Sequence, residues 1–428
     1  MSGSLVADLG IGPRVWLFLA LLAVVTMFFK VGRLWSVRNL DLLLLFAPAP
    51  GLMQLVGSGD DAPWYPFQWL FLGSGVWLIR CLADLGLSRR PILEPNLSAS
   101  GLACLAAGVL GLLLAETVNL PVEGNAHRNP AEPRARPGQG ETPGPPGADA
   151  LNPAVKSVLK AAPLPSALKR EPIQVVLSRV LASLAHLSMV GGLLYVGWRH
   201  FERPMAGLSA ATSYLLLPYT RIALVDSGQL IPAALILGAV VAYKRPWTSG
   251  ALLGLSAGWM PACLGLIPLW VGFYRGRGAW RFAGSSVSVV LACGLLALAW
   301  PDLAIWARAL GGRSLAEVGL LPWVQAPSSP SFWMGIDPSF RLPVVVGYGA
   351  LVVVTTFWPA EKNLGTLIAL SAALLVAGQF WYLEQGGTLI LLYLPLILLM
   401  IFRPNLATKR PEPSARRERL AAANGVPH

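Results

Sequence analysis

The stretch Pro218–Gln229, PYTRIALVDSGQ, sets an arginine, an aspartate and a glutamine between two long apolar runs. Ionisable side chains at such boundaries are expensive and persist where they pair or do chemistry. Asp226 can act as a general base, taking the proton of an attacking hydroxyl as a sugar is transferred. Its spacing also fits a helix N-cap, because Asp226-Ser227-Gly228-Gln229 places a glutamine three residues after a capping oxygen. Arg221 offers a planar fork that can grip a lipid phosphate, or else an arginine snorkelling to the interface. Tyr219 and Gln229 carry groups that can hydrogen-bond sugar hydroxyls. Asp60 and Asp61 form a carboxylate pair beside Trp64 and Tyr65, an aromatic platform that suits a sugar or a solvated turn. Trp381 and Glu384, with Tyr382, make a last polar-aromatic group, whose other reading is an interfacial cap.

The elements around Asp226 have a definite order. An apolar helix runs from Gln229 to Tyr243, a basic turn follows at Lys244 and Arg245, and the next apolar segment is interrupted at Gly258-Trp259-Met260-Pro261. Proline removes a helix hydrogen bond, and a helix broken at membrane depth needs protein or water around the break. Each half holds about 12 residues, roughly 18 Å of helix, too short to span a bilayer. Both ends of the segment are basic, closing on Arg275, Arg277 and Arg281. The spacing therefore predicts a re-entrant hairpin hinged in mid-membrane.

Pro218-Tyr219, Gly228-Gln229, Lys244-Arg245, Gly254-Leu255 and Pro261 occur in an order that resembles the membrane-embedded glycosyltransferases of the GT-C superfamily, in particular their polyprenyl-phosphate-mannose-dependent branch. The resemblance covers Met205 to Phe282. That family commonly has a lysine three residues before the proline, where this chain has Gly258, and its early-loop catalytic acid has no clean counterpart here. The resemblance implies transfer of a hexose such as mannose from a polyprenyl-phosphate donor to an extracytoplasmic acceptor. The lipid-linked sugar is then the donor, and no further cofactor is expected.

Composition agrees with a membrane setting. Of 428 residues 55% are hydrophobic and 13% charged, with a mean hydropathy of +0.59; soluble chains carry about twice that charged share. The net charge of +12 lies in short clusters between apolar runs, the pattern that orients membrane helices rather than one that binds nucleic acid. Four scattered cysteines and four scattered histidines give no metal-ligand spacing. No P-loop, zinc motif, dinucleotide fingerprint or serine-hydrolase pattern is present.

The chain reads as an all-α, polytopic helical membrane protein in four regions. Residues 1–118 form an N-terminal four-helix membrane region. Residues 119–172 hold 11 prolines and five glycines, too few core-forming side chains to offset ordering entropy, which predicts a disordered extracytoplasmic linker. Within it, 154–162 has the spacing of a short interfacial helix. Residues 173–404 form the GT-C-like core, and 405–428 a basic cytoplasmic tail. Placing the basic clusters inside predicts 11 transmembrane helices plus the hairpin, with the N-terminus outside and the C-terminus cytoplasmic. Membrane lipid and a polyprenyl-phosphate sugar are the expected partners. Two other functions fit the same elements. One is a non-catalytic membrane protein of this fold that binds a lipid or a partner. The other is a transporter, which a broken helix also suits but which lacks a second broken helix or an internal repeat here.

Overall fold

The computed structural model describes residues 11–58, 64–87, 93–119, 173–276, 278–313, 331–382 and 386–404, and among them every regular element is helical. In chain order these are α1 (Pro13–Phe28), α2 (Val37–Leu44), α3 (Ala49–Ser58), α4 (Tyr65–Ala83) and α5 (Ala99–Asn119). The second half adds α6 (Ile173–Tyr195), α7 (Pro204–Leu216), α8 (Pro218–Ile222), α9 (Ser227–Val241), α10 (Pro246–Trp259) and α11 (Leu266–Phe273). The series closes with α12 (Ala279–Ala299), α13 (Pro301–Ala309), α14 (Arg341–Phe357), α15 (Leu364–Gly378) and α16 (Ile390–Phe402). The expected linker and its short helix, the basic tail, Asp60, Asp61 and Glu384 lie outside the described residues.

Local signals set the starts. Pro13, Pro66, Pro204, Pro218, Pro246 and Pro301 stand in first turns, where a missing N–H costs nothing and φ is already helical. Ser36, Asp226 and Asn363 cap α2, α9 and α15 through side-chain oxygens. A turn at residues 45–48, ending on Pro48, separates α2 from α3.

Among the described residues five spans are long and apolar enough to cross a membrane: Val37–Val56, Ala99–Val118, Val175–His200, Ala279–Ala299 and Pro338–Phe357. The helices that form the centre are shorter. α15 and α16 are buried along nearly their whole length, whereas α12 and α14 turn outward residues such as Leu291, Leu298, Val346 and Val353 away from the protein. Helices enclosed by other helices need not match the bilayer thickness, because protein rather than lipid surrounds their ends. α4 packs on α15 and α5 on α7, so the helices on either side of residues 119–172 share one core. At one end of the bundle Arg80 bridges Asp41 at 2.5 Å and Asp84 at 3.0 Å, and Arg403 reaches Asp84 at 2.5 Å. This buried network ties α2, α4 and the end of α16. Arg80 and Arg403, read from sequence only as orienting charges, thus also hold the fold.

The segment after α9 doubles back as expected, but its break lies elsewhere. Ser249 donates to the carbonyl of Ala239 and Ser256 to that of Pro232, so α10 runs antiparallel to α9. Continuing that register brings Trp259 to the level of Gln229, beside the start of α9 rather than half-way along it. The chain then returns through Pro261–Gly265 and α11 until the Tyr274 hydroxyl meets the carbonyl of Tyr243. Gly250, Gly254 and Gly258 line one face of α10. A Cβ there would lie 2.5 Å from the Phe282 carbonyl oxygen, 2.7 Å from that of Ser286 and 2.8 Å from the Cys293 sulfur, respectively. Small residues at a four-residue spacing let two helix backbones approach closely. Gly258, standing where the resemblance expects lysine, is therefore part of the α10–α12 contact.

Candidate functional site

The site is built on the turn between α7 and α9, and a histidine inside α6 fixes that turn. His186 is buried; its Nε2 lies 3.0 Å from the Leu224 carbonyl oxygen and its Nδ1 2.7 Å from the Tyr214 hydroxyl. A carbonyl only accepts, so Nε2 carries the proton and the tyrosine donates to Nδ1. Thr220 donates its hydroxyl to the Tyr214 carbonyl. The backbone leading to Asp226 is thereby held from two sides.

Asp226 is the N-cap of α9, 5% exposed. One carboxylate oxygen accepts the Gln229 amide at 3.3 Å, and the other accepts the Gln229 side-chain nitrogen at 2.8 Å. This differs from the expected capping box, in which the glutamine would return to the backbone N–H of the cap. The difference arises because the Gln229 side-chain oxygen is engaged across the bundle, accepting the Leu391 amide at 3.2 Å. With its oxygen fixed there, its NH2 points at the carboxylate. Gln229 is thus a buried bridge between the starts of α9 and α16, not a group open to a sugar. Tyr219 is similarly committed, its hydroxyl donating to the Leu45 carbonyl at 2.7 Å. Tyr219, Gln229, Thr388 and Leu391 surround a cavity of about 10 Å³, room for about one water and not for a hexose.

The start of α9 is covered from the far side. Ser227 donates to the Leu310 carbonyl at 2.5 Å. Gly311, at φ +86°, packs so close that a Cβ would lie 2.8 Å from the Gly228 nitrogen; both the positive φ and the contact select glycine. The Arg313 amide donates to the Trp259 carbonyl at 2.8 Å, and its guanidinium lies 6.0 Å from the Tyr382 ring centre. Trp381 sits beside Tyr382 and Tyr348 and accepts Arg341 on its carbonyl at 2.7 Å. The broken helix, Asp226 and the aromatic pair at 381–382 therefore meet at one end of the bundle, linked by residues 310–313. On the aspartate platform, Trp64 donates its indole N–H to the Phe332 carbonyl at 2.9 Å and stacks on that ring.

Arg221 has a partner that no sequence spacing pointed to. Its Nε lies 2.9 Å from both oxygens of Glu116, and an Nη lies 2.8 Å from one of them. The guanidinium stacks 4.9 Å from the centre of the Trp16 ring, whose N–H donates to the Leu216 carbonyl. The other Nη is buried and has no hydrogen-bond partner among the described residues. The Glu116 side chain is 27% exposed, more open than Asp226 at 5%. Glu116 is the single charged residue of α5, and an acid alone on an apolar helix was the available signal. His186 carried the same signal on α6. Among the described residues no group of His, Cys, Asp and Glu could hold a metal ion. No protein-family model, curated protein or solved structure matches the chain.

Proposed function

We propose that this protein is an integral membrane hexosyltransferase of GT-C type, taking sugar from a polyprenyl-phosphate donor at the end of the bundle where α9 begins. The observation that carries the reading is the Trp16–Arg221–Glu116 cluster. It gathers an aromatic face, a guanidinium with one unused nitrogen and a partly open carboxylate from three distant stretches of chain. In the transfer, an acceptor hydroxyl attacks the anomeric carbon and gives its proton to Glu116. The bond from that carbon to the phosphate oxygen breaks, and the phosphate leaves held by Arg221. Asp226, which the sequence offered both as a base and as a helix cap, takes the cap's positioning part, since its oxygens hold the start of α9 and Gln229.

Eleven crossings and the α10–α11 hairpin put this end of the bundle on the extracytoplasmic face and the C-terminus in the cytoplasm. The exposed Trp35, Trp198, Trp247 and Trp280 suit a membrane interface. They follow or adjoin the basic clusters at the opposite end, as interfacial tryptophans do.

A second reading, a non-catalytic membrane protein of the same architecture that binds a lipid or a partner, is favoured by the water-sized cavity beside Gln229, too small for a hexose. Transfer from a radiolabelled polyprenyl-phosphate sugar in membranes separates the two. The transferase reading expects Glu116→Gln, which keeps an oxygen for Arg221, to lose transfer by about a hundredfold or more. Arg221→Lys, lacking the planar fork, should weaken donor binding. Wild-type membranes that transfer nothing across a panel of donors would establish the non-catalytic reading.

A further inference from the structure

A groove of about 550 Å³ runs along the outer side of the α6–α9 contact. Leu184, Ser188, Gly191 and Tyr195 of α6 form one wall, and Leu235 and Gly238 of α9 the other. Its depth comes from glycine: nothing lies within 4 Å of where a Cβ would stand at Gly191. From Leu181 to Tyr195 the groove extends roughly 21 Å at the helical rise, more than the ~15 Å of one leaflet.

The two ends differ in charge. At the Tyr195 end His200 Nε2 bonds the Val241 carbonyl at 2.8 Å and pins the two helices together. Just beyond the last groove residues stand Arg199 and Arg203 on one side and Lys244 and Arg245 on the other, all four exposed. Trp198 and Trp247, exposed beside them, mark head-group depth. Near the opposite end Arg179 is buried and donates to the Val118 carbonyl. An apolar trough that opens at one end among exposed cations fits a lipid with an anionic head.

We propose that this groove is a binding site for one anionic phospholipid, its acyl chain between α6 and α9 and its phosphate among Arg199, Arg203, Lys244 and Arg245. The head-group end of this site lies at the end of the bundle opposite Asp226, and the proposal does not depend on the transferase reading. Long-range attraction of about 1 kcal/mol per cation makes the head group the source of selectivity, while the trough supplies an apolar seat for the chain.

Native mass spectrometry of the full chain in mild detergent, titrated with phosphatidylglycerol or phosphatidylcholine, tests this. Wild-type protein should hold one phosphatidylglycerol at least tenfold more tightly than phosphatidylcholine. Gly191→Leu fills the trough where space is open and should abolish that tight binding at an unchanged melting temperature. The double variant Lys244→Gln, Arg245→Gln, in an exposed turn, should weaken phosphatidylglycerol about thirtyfold and leave phosphatidylcholine unaffected. Should Gly191→Leu fail to fold, the double variant decides alone. Equal retention of the two lipids, or phosphatidylglycerol binding untouched by either change, overturns the proposal. So does a wild-type dimer that Gly191→Leu converts to monomer without loss of lipid, because a second copy would then fill the trough.

Discussion

Asparagine and aspartate cap helices about equally well, so the sequence expects Asp226→Asn to leave stability almost unchanged if the residue is a cap. The tertiary contacts reverse that expectation. The Gln229 oxygen is taken by the Leu391 amide, and its nitrogen donates 2.8 Å to Asp226. Asparagine at 226 keeps one oxygen for the Gln229 backbone amide but turns an NH2 toward the NH2 of Gln229. Rotating Gln229 only moves the conflict to Leu391. A hydrogen bond to a charged group contributes about 1.5–3 kcal/mol, so Asp226→Asn should cost about 2 kcal/mol. Gln229→Glu alone sets two buried carboxylates together and should cost about 3 kcal/mol or more. Combined, the new amide at 226 donates to the new carboxylate at 229, which still accepts from Leu391, and the net charge is unchanged. The double variant should lie within about 1 kcal/mol of wild type, a coupling of about 4 kcal/mol or more, above the ~0.5–3 kcal/mol usual for residues in contact. Unfolding free energies of the four proteins, measured by titrating SDS into mixed micelles, give the cycle. A silent Asp226→Asn, or a double variant whose loss equals the sum of the single losses, would refute the proposed bridge.

Three further expectations follow from the packing. Gly258→Lys should destabilise by about 1–3 kcal/mol, as overpacking does, since its Cβ meets Cys293 at 2.8 Å; Cys293→Ala should recover part of that loss in the same titration. Arg403→Met removes one of two cations on buried Asp84 and should cost about 3 kcal/mol, the lower end for breaking a buried pair because Arg80 remains. For orientation, single cysteines introduced at Gly140 and Ser328 should react with a membrane-impermeant thiol reagent in intact cells and one at Ser414 should not, with the unaltered chain as blank. Labelling at Ser414 would turn the topology over.

The sequence by itself determined the helical, apolar character of this protein. Long runs of Leu, Val and Ala have no use but burial, and prolines in first turns mark where helices start. It also offered Asp226 as a helix cap, from an aspartate three residues before a glutamine at the head of an apolar run, and that cap is present. The doubling back at Pro261 was legible from basic residues at both ends of a broken segment. What each polar group touches was not. Glu116 stands 105 residues from Arg221 and Leu391 stands 162 from Gln229, and no local spacing encodes such partners. Gly258 looked like a missing lysine until Cys293 appeared against it. The tertiary structure alone decided that α15 and α16, too short to count as full spans, lie at the centre. Hydropathy records how apolar a segment is, and lipid and protein are equally good apolar surroundings, so only the packing of one helix on another tells them apart.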